Sequence, residues 1–233
     1  IEDKESTISL FAADSTTQLL LTVKCIPKTA FKDYTCGKSF IFDLNAIELQ
    51  NVAINFTSFI SKLEFSTDSE DKPSKLTINC NSHQSSKKFF LRGLDIDRDY
   101  LSCEEMTNFY TNAVSYDINL TEFSGLLAAL NMKDSSIEFR LHYSKLQIYC
   151  YCEQTFNSAT MDVWKSVPHE IEKDNFDEFV CSVSAQIFKH VLSLRISPNM
   201  KLEFVNGMPV KCTIHDCTFE AHFFVALKVV ILP

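Results

Sequence analysis

The chain has 233 residues, with 22 Lys and Arg against 30 Asp and Glu, for a net charge of −8. Apolar residues make up 45% and charged residues 22%, which excludes global disorder and calls for a sizeable core. The acidic balance excludes a generally basic nucleic-acid binder but leaves room for a locally basic surface.

Only four glycines are present, against 20 Phe, and neither GxGxxG nor GxxxxGK[ST] occurs. Nucleotide-cradling loops are therefore not expected. No apolar run reaches the roughly 18 residues that span a membrane. The opening Ile1-Glu2-Asp3-Lys4 matches neither a signal peptide nor a Met start, and reads as the trimmed end of a longer chain. The nine cysteines are odd in number and mostly sit in apolar runs: Cys25, Cys80, Cys150, Cys152, Cys181 and Cys212. That pattern predicts free thiols in a reducing compartment. The sequons at Asn55 and Asn119 are then chance matches.

Alternation predicts strands at 7–12 and 18–24 around the polar turn 14–17, and a third at 39–43. Leu44, Ile47, Leu49 and Val52 suit a short helix. Strands follow at 61–66, 75–80 and 87–93, the first two parted by the Pro-containing stretch 67–74. Residues 94–113 are acidic and carry no sustained period, which predicts a connector. The grammar then repeats: strand 115–120, helix 121–131 capped by Thr121 or Asn119, and strands 136–142, 145–152 and 159–165. After the polar stretch 168–175 come strand 178–183, helix 184–194 and strands 200–205, 209–215 and 220–229. A strand–cap–helix unit thus recurs at 40–52, 116–130 and 179–194, each followed by about three strands. This βαβββ grammar predicts an α+β protein of two similar domains, 1–93 and 114–233, joined by the connector 94–113. The count leaves the start short of one strand and one helix.

Candidate chemistry is sparse. Cys150-Tyr151-Cys152 puts two thiols on one strand face, and His142 or Cys80 would be needed to complete a zinc site; buried free thiols fit the spacing better. Cys212 and His215 differ by an odd step, which places them on opposite faces of a strand. No G-x-S-x-G, H-E-x-x-H or D-F-G occurs. Glu104-Glu105 lies in the connector, where desolvation is weak. The helix 184–194 is the one with a charge pattern: Ile187, Phe188, Val191, Leu192 and Leu194 form an apolar stripe, while Lys189, His190 and Arg195 lie off it, suited to phosphate or simply to solvent.

The stretch 206–227 carries Gly207-Met208-Pro209, Thr213-Ile214-His215-Asp216 and His222-Phe223-Phe224-Val225-Ala226 in that order. It resembles the closing strands of DNA sliding clamps, the relatives of proliferating cell nuclear antigen. Within them it most resembles the Rad-nine-type subunits of the heterotrimeric checkpoint clamp. Asp14-Ser15-Thr16-Thr17 resembles the family's Asp/Asn-Ser-Ser turn, and Ala30-Phe31-Lys32-Asp33-Tyr34 the aromatic–acidic segment after it. The likeness covers nearly the whole chain. In that alignment the family's first strand and first helix are absent, as is its C-terminal regulatory tail.

The resemblance implies a sliding-clamp fold, with helices lining a ring and sheets outside. It implies a nuclear, non-enzymatic subunit with no cofactor or metal. Two other clamp subunits would complete the ring and a clamp loader would place it on DNA. Checkpoint signalling or repair proteins would be its clients, and no membrane is involved. Non-specific phosphate contacts to double-stranded DNA would fall to Lys189, Arg195 and Lys133, although the lining helices carry few cations. The subunit-joining edge strands align with Lys87, Phe89 and Leu91 and with Met161, Val163 and Trp164. A client-peptide pocket aligns with Leu20, Met106, Pro209, Phe224 and Ala226, with the connector's Asp95, Asp97, Asp99, Glu104 and Glu105 favouring clients with basic flanks. The alternatives are a homotrimeric replicative clamp, another checkpoint-clamp subunit or, from a different class, an intracellular thiol enzyme or metalloprotein.

Overall fold

The computed structural model describes residues 8–13, 19–25, 27–36, 41–69, 72–94, 103–128, 135–142, 145–152, 156–164, 179–193 and 197–228. In chain order the elements are β1 (Ile8–Ala13), β2 (Leu19–Cys25), α1 (Pro27–Ala30), α2 (Ala46–Ala53), β3 (Ile60–Thr67), β4 (Lys75–Ser82), β5 (Ser86–Arg92) and α3 (Cys103–Asn108). Then follow β6 (Val114–Asn119), α4 (Leu120–Ala128), β7 (Ser135–Leu141), β8 (Lys145–Cys152), β9 (Ser158–Trp164), β10 (Phe179–Ser184), α5 (Ala185–Ser193), β11 (Asn199–Phe204), β12 (Val210–His215) and β13 (Phe219–Val225).

Two βαβββ units stand in the second half, β6-α4-β7-β8-β9 and β10-α5-β11-β12-β13. Each gives its first strand to the other. β6 pairs antiparallel with β11, and β10 pairs antiparallel with β7. The resulting sheets run β10-β7-β8-β9 and β1-β2-β13-β12-β11-β6.

The chain forms two compact units, one drawn from 1–32 with 101–233 and one from 33–100. This division differs from the expected 1–93, 94–113 and 114–233. The reason is β2, whose seven residues pair along β13 from Leu19 opposite Val225 to Cys25 opposite Phe219. Leu19, Leu21 and Val23 share a face with Ala221, Phe223 and Val225 and pack on the larger unit's core. An N-terminal hairpin thus completes a C-terminal sheet.

That core is chained by aromatic rings. Phe123 meets Phe188 at 5.4 Å between centroids, Phe188 meets Phe139 at 5.8 Å, and Phe139 meets Phe204 at 5.2 Å. Ring contacts of this kind add to the area that the side chains bury. They tie α4 and α5 to both sheets. Asn119 starts α4: its Oδ1 accepts from Thr121 N at 2.9 Å and Glu122 N at 3.1 Å. Between β11 and β12 the chain reverses through Gly207, whose φ of +75° a β-carbon would disfavour.

The smaller unit is a β3-β4-β5 meander with α2 packed on β5. Its core is Val52, Ile78, Cys80 and Leu91, with Leu49, Phe56, Ile60 and Phe89 against it. α2 begins two residues later than expected because Asn45 is its cap, accepting from Ile47 N and Glu48 N. Of the expected strand 39–43, Asp43 makes an isolated bridge to Leu94, while Ser39 and Phe40 lie outside the described residues. Asp68 closes the β3–β4 connection by accepting from Ser74 Oγ, Ser74 N and Lys75 N, bonds that hold its carboxyl down to about 2. The expected connector holds a helix, α3, which the absence of period had hidden.

Phe188 touches both Phe123 and Phe139 and is fully buried. Phe188→Ala should cost about 3–5 kcal/mol in urea unfolding. Lys189→Ala, one residue on and exposed, should stay within about 0.5 kcal/mol of the parent.

Candidate functional site

Among the described residues the candidate sites are surfaces. The first is the outward side of α4 and α5, which lie against each other through Phe123 and Phe188. Their exposed positions are Thr121, Glu122, Gly125 and Ala128 on α4, and Gln186, Lys189, His190 and Ser193 on α5. Lys189 therefore stands off the apolar stripe, as its spacing predicts. It is the one lysine or arginine among the described residues of the two helices. Arg195 and Lys133 lie outside the described residues, as do Asp95, Asp97 and Asp99.

Some of the residues expected to line a client pocket come together, but the space between them is filled. Met106, Tyr110 and Phe224 form a small buried cluster, with Leu20, Ala113, Val205 and Met208 packed on it. Phe224 is 1% exposed and Met106 5%, so neither lines an open cleft. Leu20, Pro209 and Ala226 are half-buried around them. The filling group is Tyr110, which sequence reasoning missed. Its ring lies 5.6 Å from Phe224, and its hydroxyl donates to the Pro209 carbonyl at 2.5 Å. Burial pushes its phenol well up, helped by Cys212 and Glu203. Its turn carries no period, so only the isolated aromatic itself was a signal.

Beside this cluster a polar seam crosses three strands on the same sheet face. Glu203, Lys211, Thr213 and His222 are all buried. Lys211 Nζ sits 2.9 Å from Glu203 Oε2 and 5.4 Å from the Tyr110 ring centroid. Thr213 Oγ1 lies 3.2 Å from Glu203 Oε2 and 3.0 Å from His222 Nδ1. Lys201 adds a second cation at 3.3 Å. Burial pushes the Glu203 carboxyl up, but Lys211 and Lys201 outweigh it and hold it below the usual range. Burial holds His222 below its ordinary range despite Glu220 at 3.5 Å. Thr22, opposite His222 in the pairing, has a buried hydroxyl with no partner among the described residues.

The third surface is a pair of sheet edges. β5 pairs only with β4 and β9 only with β8 among the described strands, so each offers one free edge. The expected interface residues divide by alternation. Leu91 and Val163 are buried in their own cores, and Phe89 and Met161 pack on those cores. Lys87 is exposed, with its ammonium donating to Asn55 Oδ1 at 3.3 Å. Trp164 is 63% exposed, its ring 5.6 Å from Lys145 Nζ. Four of the six expected side chains thus turn inward, and Phe90, at 55% exposure, is the apolar group that β5 presents instead. Period-two parity with Leu91 would have revealed it.

Three of the core thiols are held protonated by burial. Burial pushes Cys150 and Cys181 up to about 12, and Cys212 well up as well. Cys212 is buried and His215 exposed, on opposite faces as the odd step requires. Among the described residues no group of three His, Cys, Asp or Glu is placed to hold a metal, and no helix is long and apolar enough to cross a membrane. No protein-family model matches the chain, and no curated protein matches it.

Two outcomes follow from this geometry. Phe224→Ala should destabilise the fold by about 3–5 kcal/mol, read by urea unfolding, because it opens a buried cavity. Stability should also decline in acid in two stages. The unfolded chain protonates histidine below about pH 6.5 while the folded His222 resists, so stability falls first through that range. Glu203, held low in the fold, adds a second loss below about pH 4.5. His222→Gln should flatten the upper stage and Glu203→Gln the lower in a pH series of unfolding curves.

Proposed function

We propose that this chain is a non-enzymatic subunit of a nuclear, heterotrimeric sliding clamp of the DNA-damage checkpoint type. In this reading it encircles DNA with two other clamp subunits after a clamp loader has placed it. It then serves as a platform for signalling and repair proteins. One observation carries the reading: two βαβββ units exchange their first strands and set α4 and α5 side by side over two sheets. Such a unit offers a helical face for phosphates and sheet edges for neighbours. The free edges of β5 and β9 support the same reading, since a ring subunit needs two joining edges. Lys189 supplies a phosphate contact from α5, and the single described cation there leaves most of the DNA grip to the partners. The thiol-enzyme alternative is disfavoured at Cys150, Cys181 and Cys212, because burial raises rather than lowers their thiol pKa values.

Native mass spectrometry of the chain alone and mixed with the other two checkpoint-clamp subunits tests the proposal. A one-to-one-to-one assembly is expected, with no self-trimer. A self-trimer would favour the replicative alternative, and no assembly would remove the ring. Within the ring, Lys189→Glu should weaken binding to double-stranded DNA and reduce the salt slope by about one unit.

A further inference from the structure

The strand Ser86–Arg92 carries three cations, two Phe and no carboxylate, in a chain whose net charge is −8. Alternation splits these side chains. Phe89 and Leu91 turn to the small unit's core, while Lys88, Phe90 and Arg92 share the opposite face. Phe90 is more than half exposed there. Lys75, from the neighbouring strand, brings its Nζ to 4.9 Å from the Phe90 ring centroid, and Lys88 brings its own to 5.4 Å. No described carboxylate forms an ion pair with Lys75, Lys88 or Arg92. Lys62 and Glu64, the other charges on that face, pair with each other. Asp68, beside Lys75, spends its carboxylate on the turn's own N–H and hydroxyl groups.

We propose that the free edge of β5 takes an extended strand of a partner protein bearing carboxylates at alternate positions. In the ring, that strand belongs to the neighbouring subunit, and this identification rests on the clamp reading above. The charge argument itself does not. A strand added along β5 places every second side chain beside Lys88 and Arg92, where like charges repel and carboxylates attract. Lysines at a free edge also turn away indiscriminate strands, so the same charges exclude a second β5. The chain's own β9 is a poor occupant. Its one carboxylate, Asp162, is already engaged by Lys145 Nζ at 3.1 Å and Gln147 Nε2 at 3.1 Å. Among the described strands of a second copy, β5 and β9 are thus both poor occupants. An aromatic or aliphatic side chain between the partner strand's carboxylates would cover Phe90 and desolvate the flanking ammoniums.

The test uses the full chain and fluorescence anisotropy with three labelled probes. The first is a nine-residue peptide alternating Glu with Val around a central Phe. The second has Lys in place of Glu, and the third is a single-stranded oligothymidylate. Binding of the acidic peptide is expected, weakening about tenfold as salt rises from about 50 to about 500 mM, with none for the Lys peptide. The exposed double substitution Lys88→Glu with Arg92→Glu should weaken it at least about tenfold without changing the circular dichroism spectrum. Equal binding of the two peptides, binding unchanged in the variant, or preference for oligothymidylate would overturn the proposal. The double variant also separates the two readings by native mass spectrometry. If it still assembles the ring, the acidic-strand surface fails and the clamp reading stands. If the parent binds the acidic peptide selectively yet joins no ring, the surface stands and the clamp reading fails.

Discussion

Everything in the larger unit depends on the exchange of first strands. β6 lies on β11 and β10 on β7, so neither βαβββ unit keeps a complete sheet of its own. Without β10, the sheet of β7, β8 and β9 would lose the strand that carries Cys181 and Val183 into the core. Without β6, β11 would lose Tyr116 and Ile118 in the same way. The exchange also fixes the helices. α4 leaves from the end of β6 and α5 from the end of β10, so each helix starts in one sheet and is followed by strands of the other. Phe123 and Phe188 can meet only after both exchanges are made. These are pairings across long stretches of chain, and their loop-closure entropy must be met before their burial is gained.

The six-stranded sheet shows how one constraint produces two different faces. Its inner face is nearly all apolar because it meets the helices and the second sheet. Its other face is read by the next residue along each strand, which places Glu203, Lys211, Thr213 and His222 together. Burying an ion pair such as Glu203 and Lys211 is costly unless its remaining hydrogen-bonding capacity is met. Here Thr213, Lys201 and the Tyr110 ring meet it. Tyr110 does two things at once: it stands over the Lys211 ammonium and it fills the space beside Phe224. The residues aligned with a peptide pocket therefore act as the seat of α3 and the turn after it. A client arriving there would have to displace Met106 and Tyr110 first.

Local chemistry was readable in the sequence where it governs a single element. The helices α4 and α5 were visible from period and cap, and Asn119 proved to be the cap that its residue type suggested. Most strands fell within a residue or two of their expected ends. What was not readable is long-range. Nothing in Leu19–Cys25 says that its partner is Phe219–Val225, because any alternating strand with three leucine- or valine-like residues on one face would fit. The domain boundary failed for that reason alone. α3 was missed because six residues are too few to set a period. The interface residues were mixed because alignment names a strand, whereas parity decides which side chains it offers: Phe89 and Leu91 go in and Phe90 goes out.

Charge placement then separates a heteromeric partner from a self-complementary one. The chain as a whole is acidic, so two copies repel at long range. That repulsion would be overcome locally if β5 met an acidic edge of a second copy, yet β9 presents only Asp162, whose charge Lys145 already compensates. β9 instead offers Trp164, a large exposed ring. In the strand-addition proposal the β5 edge asks for carboxylates, and β9 offers only one that is already paired. A homomeric ring closes through two complementary edges on one subunit, whereas a ring of different subunits needs each edge to complement only its neighbour. In the proposed ring, the two unlike edges of this chain would suit the second arrangement.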